Sequence, residues 1–445
     1  MSIRLSGILS LFFLLTFFSL KAQPFFRLDS PKIKVQNVAN LYVDPNGKIK
    51  NYYSIENDGV SIFSSLENKL KNKVECKVYW DEVELFQQLA KRLPKDVLIK
   101  LYQEKKTNRF SSSLYFLPFL KISFKDLPQT SLKPLSGFKI AIDPGHVSGD
   151  MNTAALETKY LNLQKNIREG IYDPINLIEG NLTLATAFFL KKQLEAAGAE
   201  VMLTRDKPNY SSFGITYQEW LSKAKKQNFE TAYHKGEITL EEKNRFLKIS
   251  TPKEIFQKHF RFADLYERAR IINAYKPDFT VIIHYNVDEQ NSPWTSPTSK
   301  NYNMVFVPGD LKPEFLDQVE RRLELLRMLV SDDIFQSISL STYLIQSFEK
   351  VLEVPPALPD HASYLKNDCT TTPYHGVYVR NLALTRLVHG PVAYGETLYQ
   401  DNKKECHLLG NYTLEVNGIK TSERVKQVAQ AYYEGILKYV MNMEK

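Results

Sequence analysis

Two histidines in this chain each follow a short apolar segment, and histidine in that position can bind a metal ion. His146 comes after residues 138–145 (FKIAIDPG), and His284 comes after residues 278–283 (DFTVII). Isoleucine, valine and phenylalanine favour buried strands, whereas a Pro-Gly pair turns the chain and ends a strand. One such histidine alone is more often a packed, hydrogen-bonded residue. Two of them favour a shared metal, because neutral imidazole is a common zinc ligand.

Carboxylates elsewhere in the chain can complete a catalytic zinc site, which often has two histidines and one carboxylate as ligands. Glu179 is the preferred third ligand because it lies at the start of a strongly predicted helix, although a glutamate there also stabilises the helix dipole. Glu157, in the preceding loop, is a weaker candidate. Glu396 follows a last short apolar strand and is a candidate acid/base, or else an ordinary solvated carboxylate. Together, His146, His284, Glu179 and Glu396 suit metal-assisted amide hydrolysis.

The elements around these residues predict an α/β fold. A strand at residues 138–143, a helix at 181–197 and a strand at 199–205 form a strand-helix-strand unit, which implies two parallel strands and a right-handed crossover. Ligands of such sheets bind at the carboxyl ends of the strands. We therefore expect a mostly parallel sheet flanked by helices, preceded by a small N-terminal α+β domain.

The length of 445 residues favours more than one folded unit. Residues 1–22 resemble a secretory signal peptide, and their apolar run is short for a membrane span. Residues 23–135 are predicted to form the small domain, of unknown role, with a hairpin around Asn46-Gly47. Residues 136–445 are predicted to form the catalytic domain, with helical insertions at about 207–260 and 288–373. His234 and His259, in the first insertion, are interpreted as surface residues.

The composition restricts the partners. The formal net charge of +8 favours a polyanionic neighbour such as a cell-wall polymer or a membrane surface. Without a long Lys/Arg run or a nucleic-acid motif, we expect no nucleic-acid partner. Three cysteines do not form a disulfide framework or a zinc-thiolate pattern, although export would permit a bond between Cys369 and Cys406.

The motifs, taken together and in this order, resemble those of zinc-dependent N-acetylmuramoyl-L-alanine amidases, which cleave bacterial peptidoglycan. The resemblance runs from about Phe138 to the C-terminal helix and is carried by residues 140–146, 179–205, 268–269, 282–286, 380–384 and 391–396. It implies a single catalytic Zn²⁺ held by His146, Glu179 and His284, with Glu396 as the catalytic acid/base. It also implies a phosphorylase/hydrolase-like fold and peptidoglycan as substrate. Together with the leader-like residues 1–22, it predicts an exported protein that is periplasmic or associated with the cell envelope, with no stable membrane insertion after leader removal. The bond cut would join N-acetylmuramic acid to L-alanine.

The chain departs from the family pattern in the long segment after His146 and in the two insertions. The insertions could form an autoinhibitory lid that an activator protein displaces. Asn286, Arg380 and His375 could contact substrate, or could have structural hydrogen-bonding roles, and Asp143 could orient the loop or a ligand. Two alternatives to the amidase remain: a zinc carboxypeptidase or peptidase acting on wall peptides, and a non-catalytic wall-binding regulator.

Overall fold

The computed structural model describes residues 30–110, 133–234, 236–291 and 294–443. The predicted signal peptide, residues 1–22, lies outside these residues, as do parts of the predicted N-terminal domain. Among the helices described, none has the length and apolar character that a membrane span requires.

The main chain alternates between strands and helices. The strands are β1 (Tyr53–Ile55), β2 (Gly59–Ile62), β3 (Cys76–Tyr79), β4 (Lys139–Pro144), β5 (Tyr160–Leu163), β6 (Ile175–Ile178), β7 (Glu200–Leu203), β8 (Phe279–Asn286), β9 (Met304–Val307), β10 (Cys369–Thr371), β11 (Val377–Arg380), β12 (Val392–Tyr399), β13 (Leu414–Val416) and β14 (Ile419–Thr421). The α-helices are α1 (Pro31–Val38), α2 (Leu66–Leu70), α3 (Val83–Arg92), α4 (Lys95–Lys105), α5 (Met151–Glu157), α6 (Glu179–Ala196), α7 (Tyr217–Glu219), α8 (Lys225–His234), α9 (Leu240–Lys248), α10 (Pro252–Ile255), α11 (Arg261–Tyr275), α12 (Val319–Val330), α13 (Asp333–Leu352), α14 (Ser363–Asn367), α15 (Ala383–Leu387), α16 (Glu405–Gly410) and α17 (Glu423–Met443).

A seven-stranded sheet in the order β10-β11-β9-β12-β8-β4-β7 forms the centre of the molecule. The neighbours β7, β4, β8 and β12 are parallel to one another, while β9 is antiparallel to β12 and β10 is antiparallel to β11. The helix α6 makes the predicted crossover from β4 to β7. The prediction of a mostly parallel sheet flanked by helices is therefore confirmed.

Helices cover both faces of this sheet, which explains the apolar strand sequences. Every residue of β8 is buried, as expected where a parallel sheet is covered on both sides. On one face, α11 and α15 pack on Ala141 and Ile282. On the other, α6, α13 and α17 form the largest part of the core. The carboxyl ends of β4, β8 and β12 therefore open between two helical layers.

The described N-terminal residues form an α+β region, as predicted, with an antiparallel sheet in the order β1-β2-β3. This region packs on α12. Two guanidinium nitrogens of Arg322, Nε and Nη2, donate hydrogen bonds to the carboxylate of Glu75 at 2.7 and 3.1 Å. Its buried side chains join the main core. The predicted hairpin around Asn46-Gly47 is wrong. Residues 39–43 are helical, and the carbonyls of Tyr42 and Val43 accept hydrogen bonds from the distant residues Asp310 and Leu311, so no strand forms before the turn; the hairpin instead joins β1 to β2.

The predicted insertion at 207–260 is helical and has an aromatic core that also includes Val147, next to His146. The prediction that His259 is a surface residue is wrong, because its side chain is half-buried. Its ring centroid lies 4.4 Å from that of Phe229. The second predicted insertion, residues 288–373, contains β9, a strand of the central sheet.

Cys369 and Cys406 are free thiols.

Candidate metal centre and active site

Three parallel neighbouring strands bring the predicted site residues to one edge of the sheet. His146 lies just after β4, His284 lies near the end of β8, and Glu396 lies in β12. Glu396 and His284 are register partners. Because carboxyl ends of adjacent parallel strands meet at one edge, these residues are neighbours despite their separation along the chain.

His146, Glu179 and His284 form a compact cluster of potential metal ligands. One ligand atom from each residue lies within 4.8 Å of those of the other two. The Oε1 atom of Glu179 is 3.2 Å from His146 Nε2 and 3.1 Å from His284 Nδ1. The two imidazole rings meet edge to face, with 4.8 Å between their centroids. The structure thus brings together all three residues that the sequence assigned to the metal.

The start of α6 fixes the position of Glu179. The short strand β6 ends at Ile178, and Glu179 is the first residue of the helix, with a side chain that is 1% exposed. Its Oε1 atom also accepts a hydrogen bond of 3.2 Å from the backbone N–H of Tyr285. A carboxylate so deeply buried requires polar partners, and the histidines and this N–H provide them.

Two buried arginines hold the turns that carry these residues. Arg205 Nη2 donates to the carbonyl oxygens of Gly145 and Gly180, at 3.0 and 2.7 Å, and so joins the His146 turn to the start of α6. Arg268 Nη2 donates to the carbonyl oxygen of His146 at 3.0 Å. The sequence reasoning did not give either arginine a role at the site. An arginine after β7 and another within α11 do not by themselves indicate contacts with the distant turns that carry the site residues.

The backbone of His146 is held in an unusual conformation. Its φ of +59° lies in the left-handed region, which costs energy for a residue other than glycine and requires support from its surroundings. Arg268 supplies part of that support, and it is itself held by Asp143 at 3.2 Å and by Asp264 at 2.7 Å. Asp143 therefore acts on the loop through Arg268.

The ring of His284 is enclosed on two sides. Tyr394 stacks on it with 4.5 Å between centroids and 9° between planes. On the other side, Gly145 lies so close that an added Cβ would be 2.3 Å from the Cε1 and Nε2 atoms of the ring. Only glycine at position 145 leaves room for this ring orientation.

Glu157 lies on the opposite side of His146 from the cluster. Its Oε1 atom is 3.4 Å from His146 Nδ1, whereas Glu179 faces Nε2. The cluster of candidate ligand atoms does not include Glu157. Of the two glutamates considered from the sequence, Glu179 is therefore the one placed with both histidines.

The electrostatics of the site depend on burial and on its close carboxylates. Burial would lower the pKa of His146, but Glu179 and Glu157 outweigh it and raise this pKa to about 9. Burial lowers the pKa of His284 to about 4. Burial and the carboxylate of Glu179 raise the pKa of Glu396 to about 7. Part of this rise comes from the negative charge of Glu179, which a bound metal ion would offset.

The donor set fits a catalytic zinc ion. Two imidazole nitrogens and one carboxylate oxygen are a known ligand set of catalytic zinc. The Nε2 atom of His146 is also buried, and its contact of 3.2 Å with Glu179 Oε1 does not have the geometry of a hydrogen bond. A buried ring nitrogen without a well-formed hydrogen bond is rare, and a metal ion bound by both residues would satisfy it.

The three residues proposed for substrate contact lie in different surroundings. Asn286 Nδ2 donates a hydrogen bond to the hydroxyl of Tyr364 at 2.9 Å. The guanidinium of Arg380 lies 4.7 Å from the ring centroid of Tyr364, and among the described residues it has no carboxylate partner. His375 is exposed in the turn between β10 and β11, and no contact between described residues connects it with the cluster.

Comparison with known proteins adds a family assignment. The family model described as N-acetylmuramoyl-L-alanine amidase matches residues 140–438. No curated protein matches the chain.

Three solved structures of low identity resemble the chain. The CwlD amidase from Clostridioides difficile in complex with the GerS lipoprotein is 18% identical, over 68% of this chain and 99% of that chain, with a TM-score of 0.36. The amidase Ami1 from Mycobacterium abscessus is 16% identical, over 68% and 99% of the two chains, with a TM-score of 0.36. The amidase AmiC2 of Nostoc punctiforme is 16% identical, over 69% and 99%, with a TM-score of 0.35.

The assignment depends on the family model, whose match covers well over half of the chain. The matched residues 140–438 include the whole ligand cluster and Glu396. They also include every strand of the central sheet except the first residue of β4. The chain therefore belongs to the family of N-acetylmuramoyl-L-alanine amidases, enzymes that act on the peptidoglycan of the cell wall.

Proposed function

We propose that the chain cleaves the amide bond between N-acetylmuramic acid and L-alanine of peptidoglycan with one zinc ion held by His146, Glu179 and His284. The observation that carries the proposal is the meeting of these three side chains within 4.8 Å inside the matched family region. When bound, zinc would polarise the carbonyl of the scissile amide and lower the pKa of a water molecule toward about 7.

Glu396 is the residue proposed to move protons. Glu396 is half-buried and lies in register with His284 near the carboxyl ends of the parallel strands. The ionised form of Glu396 takes a proton from the attacking water, and the protonated form then gives that proton to the nitrogen of the leaving L-alanine. Proton transfer to that nitrogen is required because an amine anion is a poor leaving group.

Arg380 is proposed to bind an anionic group of the substrate. Its guanidinium carbon lies 4.7 Å from the ring centroid of Tyr364 and 4.9 Å from that of Phe306, and these two rings contact each other with 6.4 Å between centroids. The guanidinium thus packs on an aromatic pair, and because it has no carboxylate partner among the described residues, its donors are free for a ligand. Stem peptides carry carboxylates, which guanidinium groups bind well. Substrate contact by Asn286 and His375 stays a prediction.

Export of the chain is also part of the proposal. Its substrate is in the cell wall, and residues 1–22 have the charge and apolar pattern of a signal peptide, so we place the mature enzyme in the periplasm or at the cell envelope.

An activator that displaces an inhibitory insertion stays a prediction. Because Val147 and Leu156 pack with the aromatic core of residues 207–260, deletion of the insertion would expose apolar side chains, so point substitutions on its surface are the better test.

Mass spectrometry of peptidoglycan fragments tests the proposal. Purified muropeptides are incubated with the zinc-loaded protein and with Glu396→Gln as the matched control. An amidase leaves a free lactyl carboxylate on the sugar and a free amino group on L-alanine. Release of terminal amino acids with the sugar-peptide bond intact would instead indicate a peptidase. Binding without any cleavage would indicate a wall-binding protein.

A further inference from the structure

A second glutamate, Glu157, contacts the candidate metal centre from outside the ligand cluster. It is the last residue of α5, and its side chain is 6% exposed. Its Oε1 atom lies 3.4 Å from His146 Nδ1, while the other ring nitrogen, Nε2, lies 3.2 Å from Glu179. The imidazole therefore lies between two carboxylates, of which only Glu179 contacts both histidines.

Backbone hydrogen bonds hold the Glu157 carboxylate in this position. Both of its oxygens accept from the N–H of Val147, at 3.2 and 3.3 Å, and Oε2 accepts from the N–H of Ser148 at 3.0 Å. These two residues immediately follow His146, whose backbone is in the left-handed conformation. Glu157 thus contacts both the ring of His146 and the loop that sets its direction.

The chemistry of a carboxylate facing Nδ1 determines which nitrogen of His146 is free to bind a metal. An ionised carboxylate only accepts hydrogen bonds, so it favours the tautomer in which Nδ1 carries the proton. In the neutral imidazole, which is the form that binds a metal ion, the lone pair is then on Nε2, the atom that faces Glu179 within the cluster. Carboxylates paired in this way with metal-binding histidines orient the ring and strengthen metal binding.

The helical insertion, residues 207–260, also contacts α5. Gln257 Nε2 donates to the carbonyl oxygen of Leu156 at 3.2 Å, and the side chain of Leu156 packs with the aromatic core of the insertion. Val147 belongs to the same core. The insertion therefore packs on both segments that Glu157 joins.

We propose that Glu157 is a positioning residue that fixes the orientation and tautomer of His146 for zinc, and that residues 207–260 support this arrangement. This inference rests on the proposed function, because it takes zinc as the metal of the site. It gives the insertion a role in building the metal centre.

Zinc affinity of the purified full-length protein, measured by competition with a chromophoric chelator, tests the proposal. Glu157→Gln keeps the size of the side chain and one acceptor but places an N–H₂ group against either the ring of His146 or the N–H groups of Val147 and Ser148. We expect the zinc dissociation constant to rise about 10- to 100-fold. The matched control is Glu324→Gln, because Glu324 is also buried and contacts a histidine, with 3.2 Å between its Oε1 and Nε2 of His389. Its zinc dissociation constant should equal that of the wild type.

A double-mutant cycle separates positioning of His146 from a general effect on the loop. If Glu157 acts through the ring of His146, Glu157→Gln should have little effect in a His146→Ala background. An equal loss of zinc affinity in both backgrounds would overturn the proposal in favour of a structural role. Glu157→Asp, which keeps the charge but shortens the side chain, is the second variant if Glu157→Gln does not fold, and it should show an intermediate loss.

Zinc binding by the wild type and by the Glu157 variants separates the role of Glu157 from the existence of the zinc site. Wild-type zinc binding together with an unchanged dissociation constant in the folded Glu157 variants would overturn the role of Glu157 alone. A wild-type protein that binds no zinc would overturn the proposed function and this inference with it.

Discussion

Replacing Gly145 with alanine tests the packing that holds His284 in the metal centre. The φ of Gly145 is not positive, so alanine is compatible with the backbone and the effect of the substitution is steric. The added Cβ would lie 2.3 Å from two ring atoms of His284, and Cβ contacts below 3.0 Å are essentially never observed. The ring must therefore move by about 0.7 Å (3.0 − 2.3), whereas metal-ligand distances tolerate only about 0.2 Å.

The size of the effect follows from the cost of overpacking. An additional carbon in a packed interior costs about 1–3 kcal/mol. If the ring of His284 swings away in the metal-free protein, zinc must restore it, and the dissociation constant rises about 5- to 150-fold. If the ring stays in place, the same cost appears as a lower melting temperature of the metal-free protein.

Both quantities are measured on the same preparations, by chelator competition and by thermal denaturation. The matched control is Gly410→Ala, where an added Cβ would be at ordinary contact distances of 3.4 Å from Ile175 and 3.8 Å from Leu177. Wild-type zinc affinity and an unchanged melting temperature in Gly145→Ala would refute the reasoning that a glycine is required beside His284.

Three further predictions follow from the site and its surroundings. Glu396→Gln should still bind zinc but lose about 10²- to 10⁴-fold in turnover of muropeptides; turnover near the wild-type value would remove Glu396 from the mechanism. Arg380→Ala should weaken binding of carboxylate-bearing stem peptides by about 10- to 150-fold, whereas Arg321→Ala, whose guanidinium also lies over a ring at 5.3 Å, should not. Burial would raise the pKa of Glu324, but His389 and Arg327 lower it to about 2 from its ordinary value of 4.5. Its ionised form therefore stabilises the fold above pH 4.5, and that contribution is lost as the pH falls toward 2. Chemical denaturation as a function of pH should show this loss in the wild type and a flatter curve in Glu324→Gln, which should also be about 1–3 kcal/mol less stable at neutral pH; parallel curves would contradict the assignment.

The identities of the site residues could be read from local sequence. His146, His284 and Glu396 each follow an apolar strand, and Glu179 begins a long helix, so chain order and element type were sufficient to predict that they would meet. Prediction from local sequence failed where the turn preference of a short segment competes with contacts to a distant part of the chain. The Asn46-Gly47 turn did form, with a positive φ at Gly47, but the preceding residues became helical against a segment more than 260 residues away.

The residues that surround the candidate metal-binding side chains could be identified only from the tertiary structure. Nothing near Glu157 in the sequence distinguishes a metal ligand from a partner of the other histidine nitrogen; the fold of α5 against the insertion places it at Nδ1. The roles of Arg205 and Arg268 are similar, because each binds carbonyl oxygens of turns that are far away in sequence. Strand and helix patterns depend on the nearest residues, and so the sequence alone predicted the sheet and the candidate ligand set. The strained backbone of His146 and the room beside Gly145 depend on distant parts of the chain packing together, and only the folded molecule determined them.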